Sequence, residues 1–172
     1  SLSERLGLSP RGTLKLLKRL EGQQLLASRT LGKATYYKPD LEDSYTGKLI
    51  ELLLMREARE KASRYLSELR DLFPHTSIVV LFGSILRTPR SANDIDILAV
   101  FEESEEASVD ATIQEERKYT ARPIHLVKQG PEDFRRNLQK GDKVLLNILS
   151  RGIVLHGYSD LVTAVSEVAR LP

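Results

Sequence analysis

The chain has 172 residues, 29% charged and 41% hydrophobic, which is enough to bury one core or two small ones and excludes disorder as a whole-chain description. It has no cysteine, which excludes disulfides and cysteine-based zinc sites, and its three histidines, His75, His125 and His156, are too scattered along the chain to read as a metal cluster. The net charge of +2 is uneven: residues 1–38 hold eight Lys and Arg against Glu4 and Glu21, giving +6, and the remainder sums to −4. A basic module of this kind points to a polyanionic partner. No apolar run approaches the roughly 20 residues of a membrane span and the N-terminus has no secretory apolar segment, so a cytoplasmic location with no membrane partner is expected.

In chain order, Leu2 and Leu6 share one face of a short helical turn, and Gly7 and Leu8 lead to Ser9, a good N-cap, with Pro10 at the first helical position. The helix predicted over residues 10–22 buries Leu14, Leu17 and Leu20 and lines up Arg11, Lys15 and Lys18 on another face. Two β-prone runs, LLASRT and ATYYK, flank Leu31, Gly32 and Lys33 and read as a hairpin, with Arg29, Lys33 and Lys38 on or near it.

These first 42 residues resemble a winged helix-turn-helix of the bacterial and archaeal repressor type, with its first helix missing. The resemblance implies double-stranded DNA as partner. The second helix would enter the major groove, with Arg11, Gly12, Thr13, Lys15 and Lys18 available to base edges, and Arg29 and Lys33 on the wing would neutralise phosphates. The chain opens at the first helix of the motif without a Met, as expected of a piece of a longer protein.

Residues 43–73 read as one long connecting helix, with Leu49, Leu53, Leu66 and Leu69 at helical spacing and Pro74 as its stop. Such a helix either packs on the domains it joins or serves as a homodimer seam.

From residue 74 to 172 strands and helices alternate. Strands are predicted at 77–82, 94–101, 123–128 and 153–155, and helices at 105–119, 131–139, 142–150 and 159–171, the last capped by Ser159. The fold class is therefore α/β (α+β) with a mixed sheet.

The segment VVLFGSILRTPRSANDIDILAV carries the chemistry. An apolar strand delivers Gly83 and Ser84, and a second begins with Asp94, Ile95 and Asp96. Alternation along a strand sends both carboxylates to one face, about 7 Å apart, where a cation between them relieves their repulsion. Gly83 lets a ligand approach the backbone, and the Ser84 N–H at a helix start can hold a phosphate oxygen.

This spacing resembles the signature of the polymerase beta-type, minimal nucleotidyltransferases. The resemblance implies that Gly83 and Ser84 contact the triphosphate of an NTP and that Arg87 and Arg90 neutralise it. It also implies that Asp94 and Asp96 are catalytic and bind Mg²⁺ or Mn²⁺ for attack by a hydroxyl of a protein or small molecule at the α-phosphorus. The tail from Pro123 to Gly157 is similar to the regulator-fused branch of the family, which implies a DNA-binding regulator of transcription. The family places a third carboxylate on the strand RPIHLVKQ, where this chain has His125. With Ile124 and Leu126 facing the core, His125 is expected on the side of the aspartates. The alternative function is a catalytically degenerate fold that only senses nucleotide.

Overall fold

The computed structural model describes residues 2–169, and the chain packs as two compact units, Ser1–Ile50 and Glu51–Pro172. The division falls inside the segment expected as a connector.

In the first unit, α1 (Leu2–Leu6) precedes α2 (Pro10–Gly22), whose N-cap Ser9 accepts a hydrogen bond from the Gly12 N–H at 3.1 Å. Strands β1 (Leu26–Leu31) and β2 (Ala34–Pro39) pair antiparallel in a register that sets Leu31 opposite Ala34, so the loop is Gly32 and Lys33 alone. Gly32 stands at φ 60°, a value that two-residue hairpin loops require at their first position and that glycine adopts freely. Side chains link the elements of this unit: the Ser28 hydroxyl donates to Glu21, and the Thr46 hydroxyl donates to the Gln24 carbonyl at 3.4 Å. The expected inward face of α2 is corrected. Leu14 is exposed, Leu17 and Leu20 are half-buried, and the buried side chain is Thr13.

The long helix expected over residues 43–73 is broken. Helix α3 (Ser44–Lys61) ends at Ala62, whose φ of −138° and ψ of 25° are not helical. Helix α4 (Ser63–Glu68) and a 3₁₀ turn (Arg70–His75) follow, with Pro74 inside that turn rather than beyond it. Ala58, Ala62, Leu69 and Leu72 are all buried in the core of the second unit, and Leu53 is left exposed.

A four-stranded mixed sheet organises the second unit. Its order is β5 (Ile124–Gln129), β4 (Ile95–Val100), β3 (Ile78–Phe82), β6 (Ile153–His156), with β4 and β5 parallel and the other pairs antiparallel. Both sheet faces are covered, which explains why β3 and β4 are apolar on every residue but Asp96. On one face, Val79, Leu81, Ile97 and Ala99 meet Leu69, Leu72 and helix α5 (Glu106–Tyr119) through Val109 and Ile113. On the other, Val80, Leu98 and Val100 meet Phe134 and Leu138 of α6 (Pro131–Gln139), Leu145 and Ile148 of α7 (Lys143–Arg151), and Leu161 and Ala164 of α8 (Tyr158–Ala169). Ile95 and Ile97 therefore face one of two cores, and the aspartates begin the row that continues into the second. The last helix starts at Tyr158 rather than behind a Ser159 cap, and residues 170 and 171 of its expected span lie outside the described residues. Among the described residues no helix is long and apolar enough to cross a membrane.

Between β6 and α8 the chain turns at Gly157, at φ 75°, where a Cβ would stand 1.8 Å from the Ser77 carbonyl oxygen. Gly157→Ala is expected to destabilise the protein by about 2 to 4 kcal/mol, the sum of a left-handed strain and a backbone clash, read as a lower urea midpoint with unchanged slope.

Candidate active site and metal centre

Three residues meet at the end of the sheet where β4 begins. Asp94 precedes β4, Asp96 is its second residue, and the parallel register sets His125 of β5 beside Asp96. The chain just before the histidine is held twice: the Ile95 N–H donates to the Pro123 carbonyl at 3.0 Å, and Arg117 Nη2 of α5 donates to the Ile124 carbonyl at 2.8 Å. Ile124 is fully buried, so the alternation of β5 turns His125 outward and over the aspartates. His125 Nδ1 stands 3.3 Å from Asp94 Oδ2 and 3.6 Å from Asp96 Oδ1, and one ligand atom from each of the three residues lies within 4.8 Å of the others.

The β3–β4 register places Phe82 opposite Asp96, so Gly83 follows directly against the Asp96 side chain. Gly83 sits at φ 86°, and a Cβ there would stand 2.0 Å from Asp96 Oδ2. The glycine is thus required twice, by its backbone conformation and by the carboxylate packed on it. Burial holds the Asp96 carboxyl above its ordinary value, the neighbouring Asp94 charge pushes the same way, and His125 opposes both.

Ser84 opens the expected helix start, which is corrected to a single 3₁₀ turn (Ser84–Leu86), its carbonyl accepting from the Arg87 and Thr88 N–H groups. So short an element has little macrodipole, and attraction of an anion here rests on side chains. They are present in a recess of about 230 Å³ lined by Phe82, Gly83, Arg87, Asn147, Ile148 and Arg151. Arg87 is thus at the site, whereas Arg90 lines a separate hollow with Thr88, Pro89 and Ser91. Asn147 and Arg151 were not legible as site residues, because they belong to α7, far along the chain, and look like ordinary polar positions of an amphipathic helix.

In the first unit Arg11, Lys15, Lys18, Arg29 and Lys33 are exposed and Gly12 is half-buried. Thr13 is corrected: only 5% exposed, with its hydroxyl enclosed among protein atoms, it cannot reach a base edge and belongs to the packing of α2.

A mixed sheet whose apolar strand ends in Gly-Ser, with an Asp-x-Asp pair on its antiparallel neighbour, defines a nucleotidyltransferase fold with a candidate divalent-metal group of two carboxylates and an imidazole. The family model described as the nucleotidyltransferase domain matches residues 62–155, more than half the chain, and the chain belongs to that family. The match begins at Ala62, where α3 breaks. No curated protein and no solved structure matches the chain.

A carboxyl whose folded-state pKa lies above its unfolded value binds more protons in the folded state, so stability falls as pH rises through that interval and stays lowered at neutral pH. Asp96→Asn is therefore expected to raise the thermal midpoint of the chelator-treated protein at pH 7, with the gain shrinking as pH falls toward the ordinary carboxylate range.

Proposed function

We propose that this protein is a DNA-binding regulator whose nucleotidyltransferase domain binds an NTP with a divalent metal and transfers the NMP to a hydroxyl of a protein or small molecule. One observation carries the reading: Asp94 and Asp96 converge beside a glycine that admits no side chain, at the edge of a recess bearing two arginines. In this reading Arg87 and Arg151 take the phosphates, Asn147 donates to the nucleotide, and Gly83 lets the chain lie close to it. The acceptor hydroxyl oxygen bonds the α-phosphorus, the bond from the α-phosphorus to the bridging oxygen breaks, and pyrophosphate leaves with that oxygen. Asp96 is placed to receive the hydroxyl proton. A divalent ion held by Asp94, Asp96 and His125 would neutralise the triphosphate and lower the pKa of the acceptor hydroxyl.

A second reading, favoured by His125 at the third-carboxylate position, is a nucleotide-sensing regulator without turnover. Incubation with α-labelled NTP, divalent metal and cell extract separates the two. Transfer requires a labelled acceptor with wild type and loss of label on the order of 100-fold with Asp96→Asn; sensing requires nucleotide binding with no label in either.

For the first unit we propose a winged helix on duplex DNA, with double-stranded DNA met by Arg11, Lys15 and Lys18 on α2 and by Arg29 and Lys33 on the hairpin. The support is their common exposure on a basic, capped helix and its neighbouring loop. Duplex affinity is expected to fall steeply with salt. Replacing Arg11, Lys15 and Lys18 by Ala should reduce the log–log slope by roughly 0.9 for each phosphate no longer neutralised. Salt-insensitive binding, or a slope unmoved by the triple variant, rejects this interface.

A further inference from the structure

Resting on the reading of Asp94, Asp96 and His125 as the metal group of a nucleotidyltransferase, we propose that this group selects a later, borderline transition ion, Co²⁺ or Zn²⁺, over Mg²⁺. The donor set is the first reason. Mg²⁺ demands near-octahedral oxygen ligands and gives up water reluctantly, whereas imidazole nitrogen suits the later first-row ions. A site of two carboxylates and one neutral imidazole gives Mg²⁺ one fewer anionic oxygen and offers the transition ions a nitrogen they hold more strongly.

Separation of the donors is the second reason. Ligands bonded at about 2.0 to 2.2 Å to a tetrahedral ion stand roughly 3.3 to 3.6 Å from one another, and octahedral neighbours on an ion of Mg²⁺ bond length stand about 2.9 Å apart. His125 Nδ1 is 3.3 Å from Asp94 Oδ2 and 3.6 Å from Asp96 Oδ1, two separations in the tetrahedral range, and one ligand atom from each of the three residues lies within 4.8 Å of the others. The imidazole is not a passing surface group, because the Pro123 and Ile124 carbonyls just before it are both hydrogen-bonded and the Ile124 side chain is buried. At the same time its side chain is 60% exposed, against 29% for Asp94 and 23% for Asp96, so the open side of the group faces solvent and leaves room for an exchangeable ligand.

The experiment is calorimetric titration of the chelator-treated full chain with Mg²⁺, Mn²⁺, Co²⁺ and Zn²⁺, each without nucleotide, on wild type, His125→Ala and His125→Asp. The exposed position of His125 lets both variants fold, checked by unchanged circular dichroism. Wild type is expected to bind Co²⁺ or Zn²⁺ roughly tenfold or more tighter than Mg²⁺. His125→Ala should lose most of that preference, and His125→Asp should improve Mg²⁺ binding. The Co²⁺ visible spectrum should show the intense bands of a four-coordinate ion in wild type alone. Equal affinity for Mg²⁺ and the transition ions, or affinities unmoved by His125→Ala, overturns the inference, as does the binding of no ion at all. Tight, His125-dependent Co²⁺ or Zn²⁺ binding without NMP transfer upholds it and rejects catalysis. Transfer that runs equally well on Mg²⁺, with no ion preference in the titrations, upholds catalysis and rejects the inference.

Discussion

The site depends on a close approach that only a missing side chain permits. Asp96 lies against the backbone at Gly83 so closely that a single added carbon would overlap its carboxylate oxygen. That approach seats Asp96 partly out of water, beside Asp94 and under the ring of His125, and so sets the field of the whole centre. Two carboxylates sharing a half-buried edge repel one another, and the repulsion is tolerable only with positive charge or hydrogen-bond donors close by. The fold supplies an imidazole at once, and leaves the remaining charge to be met from outside the protein.

Rigid packing makes this tension sustainable. The sheet is sealed on both faces, and Ile95, Ile97 and Leu98 are all but fully buried around the polar positions. Interiors packed at that density do not relax to separate two unfavourable charges, because every side-chain shift would open a void. Arg117 adds a clamp from α5 onto the strand that carries His125. Asp96 thus stands on an inner strand, Asp94 just before it and His125 on the edge strand β5, and the arginines of the neighbouring recess stand on a short turn and a helix that border them.

The two units divide physical tasks as well as sequence. The first buries little and displays cations on α2 and its hairpin; the second buries its apolar residues and concentrates acids at one edge of a sheet.

Sequence by itself determined the elements whose cause is local. Ser9 and Pro10 start α2, Gly32 bends the hairpin, and alternation sends Asp94, Asp96 and His125 to a common side, since each follows from backbone geometry within a few residues. Tertiary structure decided the rest. It broke the long helix at Ala62, turned Thr13 inward in place of Leu14, and drew Asn147 and Arg151 beside Gly83. It also set the distance from His125 to the aspartates. None of these has a signature in local periodicity, because each depends on which distant surfaces must be buried together and on the register between strands that are far apart in the chain.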